Sequence, residues 1–199
     1  MGRDTLVNVG LPRVRQAKGQ NMVLLVKMLR AARKAGRLEN ISPEVAKLLE
    51  ERVIVTAWYP FEHFMQLLLL AHQRLADGSD EAARKMGDMA ASEMLLGLHK
   101  SFLSEGDPAR TLTALERVWG RYFDFGTLTV HPEVSGARVM IAGYEDMVRT
   151  HGNLLIGWAR TAVTLSGAEV NVATVRRAPW EGDALFEVWT SWHASALAR

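Results

Sequence analysis

The sequence predicts an α+β fold: an N-terminal helical half, then a β-hairpin, a long helix and a second β-hairpin forming an antiparallel sheet. Three observations carry this. Apolar residues recur at helical spacing as far as Tyr122. After Gly126 the period changes to alternation, with Leu128 and Val130 opening a strand. Cap and stop residues punctuate the chain at helix-length intervals.

The elements follow in order. Residues 1–16 read as an extended N-terminal arm, and 17–199 as a single α+β domain. Its helical half covers 17–125 and its sheet-containing half 126–199. Asn21 to Ala35 is a helix with Met22, Leu25, Val26 and Leu29 on one face and a basic stripe of Lys27, Arg30, Lys34 and Arg37. Gly36 stops it. Ser42 caps a short second helix with Pro43 in its first position, and Val45, Leu48, Leu49 and Val53 form its apolar side. Trp58-Tyr59-Pro60 closes the linker, and a third helix runs from Phe61 to Ala76. After the turn Asp77-Gly78-Ser79-Asp80, a fourth helix spans about Glu81 to Leu103.

Asp107 and Pro108 start the fifth helix, on which Leu112, Leu115, Val118, Trp119 and Tyr122 repeat; it runs to Phe123. Thr127–His131 and Ala137–Gly143 alternate around Pro132–Gly136 and read as a hairpin. Tyr144 to Leu165 returns to helical spacing through Met147, Val148, Leu154, Leu155, Trp158, Ala162 and Leu165. Glu145 and Asp146 at its start would complement the helix dipole. Val170–Val175 and Ala184–Trp192 form the second hairpin.

Composition narrows the function classes. At 199 residues, 48% apolar and 23% charged, the chain can bury a sizeable core. It has no cysteine, which removes disulfides, thiolate metal sites, Fe–S clusters and cysteine nucleophiles. The apolar runs Met22–Val26 and Leu67–Ala71 are too short to span a bilayer, and Met1–Val9 has no apolar core of signal-peptide length. A cytoplasmic protein is expected. The net charge of +2 is uneven: residues 1–37 hold nine Lys/Arg against Asp4 alone. That segment would attract nucleic acid, anionic lipid or an acidic partner, or be a solvated helix face paired with the acidic remainder.

The chemistry-bearing residues are dispersed. His63 and His72 lie nine residues apart on one helix, on roughly opposite faces, and no metal-ligand spacing appears among the six histidines. His131, at a strand end before Pro132, is the histidine first considered for a switch role. Glu62, Glu93, Glu116, Asp124, Glu145 and Asp146 form no catalytic pair. There is neither a nucleophile elbow nor a phosphate-cradling glycine loop. No catalytic residue, metal ligand or cofactor is therefore assigned, and the chain is not read as an enzyme.

Apolar residues are more suggestive. Met86, Met89 and Met94 share a helix with Gly87, Ala90, Ala91 and Gly97. Methionine adapts its shape, and small residues admit a close neighbour. Trp58, Tyr59, Phe61 and Phe64 gather on one element; Trp119, Tyr122, Phe123 and Phe125 gather on another. These either fill a core or wall an apolar pocket. Met86, Met89, Trp119 and Phe123 are the candidate ligand-binding residues, in a cavity expected between the fourth helix and the sheet. Lys27, Arg30, Lys34 and Arg37 are the candidate interaction residues.

A family resemblance rests on Trp58-Tyr59-Pro60 before Phe64, on Gly106-Asp107-Pro108-Ala109-Arg110 before Trp119 and Tyr122, and on Gly182-Asp183 followed by Phe186-Glu187-Val188-Trp189. Over residues 17–192 the chain resembles a family of proteins of similar length abundant in myxobacteria. Its hairpin–helix–hairpin half is also similar to the four-vinyl-reductase and haem-nitric-oxide-binding fold group. The resemblance implies a ligand-sensing or interaction domain. It implies no haem here, because the Tyr-x-Ser-x-Arg motif and supporting histidine of haem-binding members are absent. Nor does the chain carry the cysteine cluster of some four-vinyl-reductase-like members.

The expected function is a non-enzymatic, cytoplasmic sensory or regulatory domain that binds a small apolar ligand. The alternative is an adaptor or structural protein–protein interaction module with a filled core. A protein partner and a homodimer are expected; nucleic acid and a membrane span are not.

Overall fold

Two layers hold the chain together: a four-stranded antiparallel sheet, and helices packed on one of its faces. The computed structural model describes residues 14–194. The expected arm at 1–16 falls mostly outside the described residues. Its last residue, Gln16, already belongs to strand β1 (Gln16–Lys18), which pairs antiparallel with β2 (Trp58–Pro60). The tripeptide read as the end of a linker is thus a strand, too short to show alternation.

Helix α1 (Gln20–Lys34) buries Met22, Leu25, Val26, Leu29 and Ala32. Helix α2 (Pro43–Glu50) is capped as expected, the Ser42 hydroxyl accepting from Val45 N at 3.2 Å. Helix α3 (Phe61–Leu75) packs on α1, with Leu67 and Leu68 fully buried.

Helix α4 (Asp80–Leu96) ends earlier than the sequence reading, which carried it to Leu103. Gly97 adopts φ −102 and ψ −107, outside the helical region, and only a 3-10 turn at Lys100–Phe102 follows. The small-residue stripe of α4 serves packing. A Cβ on Gly87 would lie 1.9 Å from the carbonyl oxygen of Leu154, and one on Gly157 would lie 1.9 Å from that of Arg84. The two glycines let α4 and the last helix touch backbone to backbone. Arg160 bonds Asp88, and Thr161 Oγ1 donates to Asp88 Oδ1 at 3.0 Å across the same seam.

Helix α5 (Pro108–Tyr122) starts as predicted, with Asp107 Oδ1 accepting from Arg110 N at 2.9 Å. Strands β3 (Thr127–Glu133) and β4 (Gly136–Ala142) form a hairpin with a two-residue turn, Val134-Ser135. The expected five-residue loop is shorter because Pro132 and Glu133 stay in β3 and Gly136 already belongs to β4. Helix α6 (Arg149–Leu165) begins five residues after the expected Tyr144. Gly143 turns the chain with φ +73, Met147 N closes a turn on Tyr144 O, and Val148 is extended. Glu145 and Asp146 therefore do not cap α6; Asp146 binds Arg15 instead.

Strands β5 (Ala168–Arg177) and β6 (Leu185–Ala194) form the second hairpin, with a 3-10 turn at Pro179–Glu181 between them. The sheet order is β3-β4-β6-β5. Registered neighbours build apolar rows toward the helices: Val130, Val139, Val188 and Val175 in one, and Leu128, Ile141 and Phe186 in the next. Cross-strand β-branched rows of this kind fit the pleated surface well. Helix α5 covers β3, and α6 covers β5 and β6. The α+β class and element order match the sequence reading.

Candidate functional site

A cavity of about 140 Å³ lies where α1, α4, α5, α6 and the sheet converge. Its position follows from the pairing of helices. The α4–α6 seam is tight because of Gly87 and Gly157, while α1 is held by α3. The space between α1 and α4 is left to side chains.

The structure places all four predicted ligand-binding residues, Met86, Met89, Trp119 and Phe123, in the wall of this one cavity. They differ in depth. Met86, Trp119 and Phe123 are buried, whereas Met89 is 50% exposed and stands at the mouth beside the exposed Glu93. Met94 lines the wall too, as do Val23, Leu24 and Met28 of α1 from the opposite bank. Trp119 is fixed by its indole N–H, which donates to Phe125 O at 2.9 Å. Tyr122 is held by a hydrogen bond between its hydroxyl and the buried His99. Of the aromatic residues at Trp58–Phe64, Phe64 reaches the wall. Trp58 lies at the surface under the Lys18 ammonium, 4.0 Å from its ring centroid.

The deep wall holds a residue the sequence reading passed over. His151 is fully buried, and Tyr144 Oη lies 2.8 Å from its Nδ1. Its Nε2 is buried without a hydrogen-bond partner. The rings of Phe64 and Phe123 stand 5.3 and 5.8 Å from it, and Phe61 stands at 6.0 Å. Burial pushes the His151 pKa down to about 3, so the ring is neutral at pH 7. The same aromatic surroundings raise the Tyr144 hydroxyl above its usual value. A signal for His151 was present: it falls four residues after Met147 and three before Leu154, on the buried face of its helix. His131, singled out instead, is an exposed strand residue registered opposite Arg138.

The basic stripe divides. Arg30 donates to the carbonyls of Leu49 and Glu51, both at 2.6 Å, and so closes the C-terminal end of α2. Lys27, Lys34 and Arg37 are exposed. Among the described residues no group of three or more His, Asp or Glu could hold a metal ion, and no helix is long and apolar enough to cross a membrane.

No protein-family model matches the sequence, and no curated protein is significantly similar to it. The fold, however, is similar to solved H-NOX structures. The unliganded Fe(II) H-NOX protein from K. algicida has a TM-score of 0.64 at 13% identity, covering 90% of this chain and 98% of that one. The H-NOX protein from S. oneidensis in its Fe(II)NO state has a TM-score of 0.64 at 10% identity, covering 88% and 99%. An oxygen-binding H-NOX domain related to soluble guanylate cyclases, in its oxygen complex, has a TM-score of 0.61 at 11% identity, covering 88% and 94%.

Proposed function

We propose that this chain is a sensory or regulatory domain that binds a small apolar ligand in the cavity between α1, α4 and the sheet. One observation carries the reading: an apolar wall runs from the half-exposed Met89 at the mouth to the sheet residues Ile141 and Phe186. Such a wall around a preformed space suits a ligand more than a filled core does. The likeness in fold to H-NOX domains, which bind small ligands in their own structures, supports it.

Haem, implied by that fold group, does not fit the residues present. The space of about 140 Å³ approaches a cavity known to hold a single benzene ring, roughly 150 Å³, and a macrocycle needs several times more. Among the described residues the wall holds no Lys or Arg to receive propionates. Its one imidazole is wedged among phenylalanine rings.

The test is native mass spectrometry of the purified full chain, followed by calorimetric titration with ethylbenzene. Saturable binding at one site per chain is expected. No retained ligand together with no ethylbenzene binding would overturn the reading. The adaptor reading would then take its place, working through the exposed Lys27, Lys34 and Arg37 toward an acidic protein partner. In either case we propose a non-enzymatic role in the cytoplasm, with homodimer formation as a further proposal.

A further inference from the structure

Among the described residues that line the cavity, His151 alone carries a buried polar atom with no partner. Leaving such a group unanswered is destabilising, so a ligand atom that pairs with it gains affinity. The direction of that atom follows from the ring's other edge. Nδ1 is turned to Tyr144 Oη at 2.8 Å, and Tyr144 does not line the cavity. Nε2 leaves the ring on the edge away from that bond, and it is His151, not Tyr144, that lines the cavity.

The position of the proton follows from the hydrogen-bond network. The Tyr144 hydroxyl has one hydrogen and two neighbouring acceptors, His151 Nδ1 at 2.8 Å and Met65 Sδ at 3.9 Å. An imidazole nitrogen accepts far better than a thioether, so the hydroxyl donates to Nδ1. A neutral ring then carries its own hydrogen on Nε2. The wall thus presents an unpaired N–H donor beside the rings of Phe64 and Phe123, apart from the half-buried amides of Gln20 and Asn21 that also line it.

Charge is arranged just as simply. Glu93, at the mouth, is the only charged residue in the wall among the described residues. A ligand carboxylate would enter past a like charge and be buried without a counter-ion, which is strongly unfavourable.

We propose, resting on the cavity reading above, that the ligand is a neutral aromatic or short-chain compound with one hydrogen-bond acceptor, a carbonyl or ether oxygen, received by His151 Nε2–H. The size of the space limits the apolar body to about one ring. A site built around one buried donor discriminates against the isostere that lacks the acceptor, because the donor is then left unpaired.

The experiment titrates three probes of one shape into the full chain by calorimetry: acetophenone, ethylbenzene and benzoate. Acetophenone is expected to bind about tenfold tighter than ethylbenzene, and benzoate not measurably. His151→Phe is expected to abolish that difference while ethylbenzene still binds. Because a buried substitution can unfold the chain, the wild-type protein is also labelled with ¹⁵N-histidine. Its His151 resonances are expected to report a proton on Nε2 and to shift at Nε2 with acetophenone but not with ethylbenzene. Equal affinities for ketone and hydrocarbon, a proton on Nδ1, or a ketone advantage surviving in His151→Phe would each overturn the role of His151 while leaving the cavity reading standing. Benzoate binding as tightly as acetophenone would overturn the neutral-ligand assignment. Binding of none of the three would overturn the cavity reading and this inference with it.

Discussion

Arg15 and Asp146 stand 131 residues apart in sequence and are joined by two parallel hydrogen bonds, each 2.6 Å long. The guanidinium lies 5.2, 4.8 and 5.5 Å from the ring centroids of Phe61, Phe125 and Tyr144. The pair ties the residue before β1 to the turn that leads into α6, above the aromatic cluster that surrounds His151. The bonds hold the Asp146 carboxyl below its usual range and raise Arg15.

Removal of this clamp is expected to be felt across the whole chain. Arg15→Ala should lower stability by about 1–2 kcal/mol in chemical denaturation, from lost stacking and the lost fork of bonds together. Arg15→Lys should recover less than half of that, because an ammonium neither forks nor stacks flat. Full recovery by lysine would reduce the interaction to simple charge pairing.

Stability should fall with acid in a window set by His151. Its folded pKa, about 3, lies below the ordinary value of 6.5, so the unfolded chain binds the proton more readily. The contribution is fully present above pH 6.5 and is lost as pH falls toward 3. By pH 5 the loss is about 2 kcal/mol. His99, lowered first by burial and then by Arg121, acts in the same direction. Asp146, already below 3.8, acts only at lower pH. Urea midpoints from pH 7 to pH 5 should therefore drop in the wild type and drop less in His151→Phe. Equal slopes in the two proteins would remove His151 as the source.

The glycine seam allows little substitution. Gly87→Ala puts a methyl carbon against the Leu154 backbone, which cannot swing aside as a side chain would. A loss of roughly 3 kcal/mol or more is expected, at the upper end of overpacking. Gly120→Ala, with nothing within 4 Å of its Cβ, is the control and should be neutral or stabilising on a helix. A thermal midpoint unchanged in Gly87→Ala would mean that α4 and α6 can separate.

Met89→Trp should change ligand exchange more than stability. The residue is half-exposed at the mouth, so a change within about ±0.5 kcal/mol is expected. The larger ring should slow both entry and exit of ethylbenzene in stopped-flow measurements. Rates matching those of the parent protein would place the entrance elsewhere.

Much of this was legible in the chain. Ser42-Pro43 and Asp107-Pro108 marked two helix starts because caps act locally. The alternating Leu128, Val130, Val139 and Ile141 mark a hairpin because the two-residue period is a property of each strand alone. What failed depended on distant partners. Tyr144–Val148 has helical spacing, yet Arg15 holds Asp146 and the segment stays a turn. Leu98 and Leu103 extend the apolar period of α4, but no neighbouring element buries Leu98, which is 72% exposed. Met86, Met89, Trp119 and Phe123 were gathered by type, and the fold brings them together. The α1 bank of the cavity and the buried Nε2 depend on helix placement, which no local pattern encodes.

The outer strands of the sheet limit how copies of this chain could join. At one margin, Pro132 of β3 has no N–H to offer, and the Val130 N–H is already taken by Glu116 Oε1 at 2.7 Å. At the other margin, β5 shifts register twice, between Val170 and Val172 and between Val175 and Arg177. Both devices spoil the straight row of donors and acceptors that an incoming strand would need. Self-association by continuing the sheet from one molecule into the next is disfavoured at either end, so the ladders of this sheet are completed within one chain rather than between copies.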